Sequence, residues 1–283
     1  MTSRTIKRVS TSQPTLEGAG VHLHRAFADH DAALFDPFLL LDDFRSGTPE
    51  HYLKGFPWHP HRGIETITYV LRGDVEHGDS LGNQGDIGSG DVQWMTAGSG
   101  IIHQEMPKGD REGRMEGFQL WANLPASKKM MQPRYRDITA AQIPTVTLDN
   151  GASVKVICGA VGAVRGPVRD VVIEPEYLDV RLPPGATFSH PTPPDHTAFA
   201  YVHAGRGRFA AESSELLGDR SLVLFEAGER VSITAAEELR FLLVSGRPLR
   251  EPIAWGGPIV MNTRAELQQA FAELEEGSFI RHA

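Results

Sequence analysis

Short segments in which apolar and polar residues alternate, or in which β-branched and aromatic residues predominate, recur along the whole chain. Most of them end at Gly, Pro or Asp, and a period of two that stops at such residues is typical of β-strands joined by turns. Many short strands with almost no amphipathic helix predict an all-β fold, either a sandwich or a barrel. The predicted strands lie in segments 20–27, 66–73, 92–98, 117–124, 154–160, 177–183, 198–205, 220–228 and 239–246.

The order of strands and glycine turns occurs twice in the chain. In the first half "TYVLRGDVEHGDS" precedes "GDVQWMTAGSGII", and in the second half "AYVHAGRGRFAAES" precedes "DRSLVLFEAGERVSI". Tyr69 and Gly98 are 29 positions apart, and Tyr201 and Gly228 are 27 positions apart. Two copies of one β-domain are the simplest explanation of this repeat.

The repeat predicts two domains, which we place at residues 1–140 and 141–283. The connection between them is expected in the segment 133–148, "PRYRDITAAQIPTVTL", which begins with a proline and contains a second one. A proline at each side of a polar stretch is a common signal for a link between folded elements.

One helix is predicted close to the C-terminus. Thr263 can cap this helix, and Glu266 three residues later completes a capping box. Leu267, Phe271 and Leu274 recur at helical spacing and form its apolar face. We expect this helix to pack on one of the domains.

Composition and charge narrow the class of protein. The 283 residues include 40% hydrophobic and 23% charged residues, and we find neither an apolar run long enough for a bilayer nor a secretory signal. The single cysteine, Cys158, excludes an internal disulfide framework, fits a reducing compartment, and is expected to be a small buried hydrophobe. These features predict a cytoplasmic protein. A formal net charge of −8 argues against direct binding of nucleic acid.

Two short motifs carry candidate metal ligands. His59 and His61 stand at i and i+2 in "FPWHPHRGIE", and His103 and Glu105 stand at i and i+2 in "SGIIHQEMP". Alternate residues of a strand point to one face, so each motif can direct two ligands to one place. Three imidazoles and one carboxylate suit Fe(II), Mn, Ni, Cu or Zn better than Mg or Ca. The alternative is that these are ordinary solvated or structural histidines, which are common in a chain with 12 of them.

Three further residues are alternative candidates for metal ligands. His22 and His24 have the same spacing, but no later motif offers a third histidine or a carboxylate to complete a site with them. We therefore interpret them as structural. Glu65 shares strand parity with His61 but would lie about 13 Å further along a straight strand. Glu105 needs no bend in the chain to reach the metal, and we therefore prefer it.

Several motifs together resemble the pirin family of the bicupin class. They are "DPFLLLDDF", "FPWHPHRGIETITYVLRG", "GDVQWMTAGSGIIHQEMP", "GFQLWANLP" and "GGPIVMNT", and they span nearly the whole chain. The resemblance implies two tandem cupin β-barrels with a short C-terminal helix, and one metal, normally iron, in the N-terminal barrel. Matched residue by residue, the ligands of the family fall on His59, His61, His103 and Glu105.

The resemblance also bears on positions that depart from the general cupin pattern. Thr96 replaces the usual proline of the second cupin motif, and many cupins would take their carboxylate from the position of Glu65; pirins share both departures. In the second barrel "AGERVSITA" stands where "AGSGIIHQE" stands in the first, without comparable ligands. We therefore expect no metal in the second barrel, although it contains His190, His196 and His203.

The resemblance implies two functions. Some pirins act as quercetin 2,3-dioxygenases, so the first hypothesis is an enzyme that uses Fe(II) and dioxygen to open a flavonol-like aromatic substrate, with Mn, Ni, Cu or Zn as alternative metals. Glu105 would be the general base that accepts the substrate hydroxyl proton. The second hypothesis is a non-catalytic iron-binding regulator with a protein partner, either a transcription factor or a metabolic enzyme. A monomer without membrane or direct nucleic-acid contacts is expected in either case.

Overall fold

The computed structural model describes residues 2–171 and 173–282. About half of these residues form β-strands. In the first half of the chain the strands are β1 (Ile6–Thr11), β2 (Gln13–Glu17), β3 (Val21–Phe27), β4 (Phe38–Asp43), β5 (Phe56–His61), β6 (Ile64–Arg72), β7 (Val75–Asp79), β8 (Gln84–Ile87), β9 (Val92–Thr96), β10 (Ile101–Pro107), β11 (Glu116–Asn123) and β12 (Arg134–Ile138). In the second half they are β13 (Thr145–Thr147), β14 (Ser153–Cys158), β15 (Ala160–Val161), β16 (Val164–Arg165), β17 (Glu176–Leu182), β18 (Thr187–Pro191), β19 (Thr197–Ala204), β20 (Gly207–Arg208), β21 (Ser221–Phe225), β22 (Arg230–Ala235), β23 (Leu239–Gly246), β24 (Ala254–Gly256) and β25 (Ile259–Met261).

Helical segments are few and short among the described residues. They are α1 (Ala32–Phe35), α2 (Arg264–Glu275) and single 3₁₀ turns at Asp29–Asp31, Pro49–His51, Ala126–Lys128 and Ala140–Gln142. None of the helices in 2–171 and 173–282 has the length and apolar character needed to cross a membrane. The predicted strands are all present, and the all-β class predicted from the sequence is confirmed.

The predicted C-terminal helix is present as α2. The Thr263 hydroxyl accepts a hydrogen bond from the Glu266 backbone N–H at 3.2 Å, and the Glu266 carboxylate accepts one from the Thr263 backbone N–H at 2.8 Å, which completes the capping box. Leu267 and Leu274 pack against a buried apolar cluster, as predicted. Phe271 differs from the prediction because 38% of its surface stays exposed.

The chain divides into two compact units. The first unit contains Pro14–Ala140 together with Leu249–Ala283, and the second contains Met1–Gln13 together with Ala141–Pro248. The ranges that we predicted, 1–140 and 141–283, share the internal border with these units but differ from them at both termini. The reason lies in strand pairing: β1 pairs with β21 of the second unit, and the β24–β25 segment joins the first unit through a bridge between Ile259 and Arg62.

The two units repeat one sheet topology. The large sheet has the order β12-β9-β6-β11-β4-β3-β2 in the first unit and β1-β21-β19-β23-β17-β14-β13 in the second. A smaller sheet accompanies each large one, β5-β10-β7-β8 in the first unit and β18-β22-β20 in the second. The internal repeat in the sequence therefore corresponds to two copies of one barrel.

The interiors of the two barrels differ in chemical character. The second barrel is filled by one large cluster of buried apolar side chains, which includes Phe188, Ile233 and Phe241. The first barrel has smaller apolar clusters, around Phe44 and around Ile64. The first barrel also contains buried polar side chains, among them His61, His103 and Glu105, and an open cavity, and the candidate site lies among them.

Candidate metal centre

Three histidines come together where β5 and β10 pair. His59 and His61 lie on β5, and His103 lies on β10. The strands are antiparallel, with His59 opposite His103 and His61 opposite Ile101. Because alternate residues share a face, this register brings all three imidazoles to the interior side of the sheet.

The geometry of the three rings is that of a metal-binding group. Their centroids are separated by 4.8 Å (His59 and His61), 4.4 Å (His59 and His103) and 5.0 Å (His61 and His103). One nitrogen of each ring lies within 4.8 Å of the others, and the Nε2 atoms of His59 and His61 are 3.1 Å apart. Within residues 2–171 and 173–282, no other group of three or more His, Cys, Asp or Glu side chains meets this criterion.

Hydrogen bonds set the orientation of two of the rings. His59 Nδ1 lies 2.8 Å from the carbonyl oxygen of Pro57, and His61 Nδ1 lies 3.0 Å from that of Pro258. A carbonyl oxygen only accepts, so Nδ1 carries the proton in both rings and Nε2 keeps its lone pair. A metal-bound histidine has this arrangement, with its other nitrogen donating to a backbone carbonyl.

His103 gives the clearest sign that an ion fits here. Its side chain is 1% exposed, and neither ring nitrogen has a hydrogen-bond partner among the described residues. Buried polar atoms are nearly always paired, because leaving one unpaired costs about 1–3 kcal/mol. An ion bound by the three rings would supply the missing partner.

The charge state of the buried rings also suits a cation. Burial lowers the pKa of His61 and of His103 well below the ordinary value of 6.5, and the neighbouring histidines lower both further. The rings are therefore neutral at physiological pH. Neutral imidazole is the form that binds a metal.

Glu105 lies on the same face of β10 as His103 but does not belong to the histidine group. The register of β5 and β10 shifts between His103 and Glu105, which places Glu105 opposite Phe56. The Glu105 carboxylate lies 2.8 Å from the Thr68 hydroxyl and accepts a hydrogen bond of 3.2 Å from the Gln119 amide. Its role as a fourth ligand stays a prediction.

Glu65 occupies a different environment. Its buried carboxylate accepts a hydrogen bond of 2.6 Å from the Thr96 hydroxyl, and burial raises its pKa. Thr68, whose hydroxyl contacts Glu105, is three positions further along β6, so the two side chains leave opposite faces of the strand. Thr96, which stands in place of the cupin proline, thus serves as the partner of Glu65.

His59, His61 and Glu105 border an open cavity of about 750 Å³ within the first unit. Its wall is largely apolar and aromatic, with contributions from Phe44, Tyr52, Phe56, Trp121 and Trp255. The Trp121 ring meets the His61 ring edge to face at 5.1 Å and stacks on Trp255 at 6.1 Å. Sequence reasoning missed the contribution of Trp255 and Pro258, because these residues are distant in the chain from both motifs.

Other histidines considered from the sequence lie outside this group. His22 is exposed and stacks on His51 at 4.2 Å, whereas the neighbouring Val21 and Leu23 are buried against the cavity. In the second unit His190 Nε2 lies 2.9 Å from a Glu176 carboxylate oxygen, and His203 Nε2 lies 3.4 Å from one of Asp179.

The second barrel places apolar residues where the first has its ligands. Phe188 pairs with Ile233 between β18 and β22, as His59 pairs with His103 between β5 and β10. His190 occupies the position of His61. Two of the three positions have therefore lost their metal-binding side chains.

Two repeated barrels with a histidine group in one of them define a bicupin protein. Family models agree: the model described as Pirin matches residues 20–122, and the model described as Pirin C-terminal cupin domain matches residues 177–280. The chain belongs to the pirin family, as the sequence motifs predicted.

Relatives and solved structures support the same family. A pirin-like protein of Caulobacter vibrioides is 44% identical over 99% of this chain and 100% of its own length. A protein of Pseudomonas aeruginosa with the provisional name quercetin 2,3-dioxygenase is 42% identical, with 97% of each chain covered. A crystal structure of quercetin 2,3-dioxygenase from Acinetobacter baumannii superposes with a TM-score of 0.89 at 32% identity, with 98% of each chain covered.

Proposed function

We propose that this protein is a metal-dependent dioxygenase that opens a flavonol-like aromatic substrate. The observation that carries the proposal is the group of three histidines, two of which, His59 and His61, line a cavity of about 750 Å³ with aromatic side chains in its wall. Similarity to proteins named quercetin 2,3-dioxygenase supports the reaction class. A cavity of this size accommodates a molecule of several fused rings.

In the proposed site His59, His61, His103 and Glu105 hold the metal, which we expect to be Fe(II). When bound, the ion supplies Lewis acidity and a route for electrons to dioxygen. The protein supplies three imidazole rings, two of which are held through Nδ1 by backbone carbonyls.

Glu105 is proposed as the residue that takes a proton from the substrate. Its carboxylate borders the cavity and keeps contacts with Thr68 and Gln119 at 2.8 and 3.2 Å. A carboxylate in this position can accept the hydroxyl proton of an entering flavonol, and Trp121 and Trp255 offer aromatic surfaces for its rings.

The test is an aerobic assay of the iron-loaded protein with quercetin, followed through oxygen uptake and release of carbon monoxide. We expect turnover by the wild-type protein, none by His61→Ala, and a loss of about 100-fold or more in Glu105→Gln, because an amide does not accept the proton. Glu65→Gln should keep most of the activity, since its carboxylate is bonded to Thr96. Glu275→Gln, an exposed change on α2, is the control for the loss of one negative charge.

Absence of turnover in the loaded wild-type protein would overturn the proposed reaction. Equal losses in Glu105→Gln and Glu275→Gln would overturn the role of Glu105. The regulatory hypothesis would then remain for a protein that still binds the metal.

A further inference from the structure

The segment from Ala254 to Met261, which we call the C-terminal hairpin, lies against the end of β5. It consists of β24, β25 and the turn between them. The Val260 N–H donates to the carbonyl oxygen of Arg62 at 3.1 Å, and Arg62 directly follows His61, the last residue of β5. In the same stretch the Pro258 carbonyl accepts the hydrogen bond from His61 Nδ1 at 3.0 Å. One proposed ligand therefore takes its orientation from a residue 197 positions away.

Lys129 joins the two sides of this contact. Its side chain is 1% exposed, and its Nζ donates to the carbonyl oxygens of Gly63 and Val260, both at 2.9 Å, and to Asn123 Oδ1 at 2.6 Å. An ammonium group has three protons, so all of them are used. Burial lowers the pKa of Lys129 to about 7, and the three oxygen acceptors favour its ammonium form.

The two main chains that Lys129 links are in close approach. Gly63 has φ of +80°, and a Cβ atom at this position would lie 2.0 Å from the Val260 carbonyl oxygen. The two carbonyl groups that accept from Lys129 therefore belong to segments in direct contact. Lys129 supplies one donor to each of these oxygens, and the Leu124 N–H donates to the Gly63 oxygen as well, at 3.3 Å.

A second buried cation holds the same strand end. Arg62 donates to the Ser99 carbonyl at 2.6 Å, to the Glu273 carboxylate at 2.7 Å and to the Phe279 carbonyl at 2.9 Å. These bonds fix the segment beneath His61 to α2 and the residues after it. Lys129 and the hydrogen bond from the Val260 N–H to the Arg62 carbonyl fix it to the C-terminal hairpin.

We propose that Lys129 is a positioning residue for the metal centre, and that the C-terminal hairpin is part of that centre. By holding the carbonyls of Gly63 and Val260 together, Lys129 keeps the Pro258 carbonyl against His61 Nδ1. The bond to Pro258 in turn keeps His61 Nε2 directed at the other two rings. The inference rests on the proposed metal site but does not depend on which reaction the metal supports.

The chemistry of the contacts separates this role from binding of the metal or substrate. Lys129 does not line the cavity, and its three donors are bonded to protein oxygens. Its effect must therefore pass through the hairpin to His61. Changes of residues that orient metal-bound histidines typically cost about 10- to 100-fold in metal affinity.

The experiment compares Lys129→Met with Lys128→Met, its exposed neighbour, in the full-length protein. Co(II) is titrated into each metal-free variant, and the affinity and the visible d–d spectrum are recorded. We expect Lys129→Met to bind Co(II) about 10- to 100-fold more weakly and with an altered spectrum, and Lys128→Met to match the wild-type protein. Arg4→Met, which removes a buried cation of the second unit, controls for loss of stability alone and should leave both readouts unchanged.

Asn123→Ala provides a milder change in case Lys129→Met does not fold. It removes one of the three acceptors and leaves both carbonyls bonded, so we expect a smaller loss of affinity in the same direction. Wild-type affinity and spectrum in Lys129→Met, or in Asn123→Ala if only that variant folds, would overturn the inference while leaving the proposed site intact. Failure of the wild-type protein to bind Co(II) would overturn the proposed metal site itself.

Discussion

His103 shows at the scale of one residue why the first barrel has a chemical role. A buried imidazole with two unpaired nitrogens is unfavourable, yet His103 lies beside two other imidazoles, and neither of its nitrogens has a hydrogen-bond partner among the described residues. A single buried imidazole without hydrogen-bond partners would lower the free energy of unfolding. The three together form a set of ligands whose cost is recovered when an ion binds.

Stability of the metal-free protein should depend on pH through His61 and His103. Burial lowers both pKa values well below 6.5, so between these values and 6.5 the unfolded chain binds more protons than the folded protein. Their contribution is complete above pH 6.5 and is lost as the pH falls through that window. Urea unfolding at about pH 7.5 and about pH 5.5 should therefore show a smaller loss on acidification in His103→Gln than in the wild-type protein.

The exposed His22 offers a matched control for this measurement. His22→Gln removes a histidine from the surface and should leave the pH dependence unchanged. An equal effect of the two substitutions would contradict the burial argument.

The residue scale also shows what the sequence could and could not predict. His59, His61 and His103 were predicted to meet because strand alternation fixes the face of each side chain, and the structure brings them together. The position of Glu105 was harder to predict, because a register shift between His103 and Glu105 changes the residue opposite it. Alternation cannot reveal such a shift.

At the scale of elements, the least predictable feature is the C-terminal hairpin. Its strands are three residues each, Ala254–Gly256 and Ile259–Met261, too short to give a periodic pattern. Its contacts with His61 and Gly63 are made through main-chain carbonyls, which any residue could supply. The long strands, by contrast, carry their alternation in the sequence and were predicted directly.

Gly63 tests the close approach of β5 and the hairpin. Gly63→Ala would place a methyl group 2.0 Å from the Val260 carbonyl, whereas Gly82→Ala, at a similar φ of +85°, would meet no atom within 4 Å. Both substitutions require a left-handed backbone at a cost of about 1–2 kcal/mol. We expect Gly63→Ala to lose at least about 2 kcal/mol more in the free energy of unfolding, measured with urea, and to bind metal more weakly.

Equal losses in the free energy of unfolding of the two glycine variants would show that the hairpin moves aside at little energetic cost. The backbone of the hairpin would then not hold His61 in place.

At the scale of the whole chain, the two barrels share one fold but differ in the side chains that fill their interiors. Both retain the same strand order, and the second fills its interior with apolar side chains at the positions of His59 and His103. One copy therefore carries the group of three histidines, and the other carries apolar side chains at two of the three corresponding positions.

Metal content per chain tests the central claim most directly. The metal-free protein is reconstituted with Fe(II) under anaerobic conditions, passed over a desalting column, and analysed for bound iron by mass spectrometry. We predict about one equivalent for the wild-type protein, almost none for His59→Ala/His61→Ala, and about one for His22→Ala/His24→Ala, which removes a pair with the same spacing. Two tightly held equivalents in the wild-type protein, or iron retained by the His59→Ala/His61→Ala variant, would contradict the account.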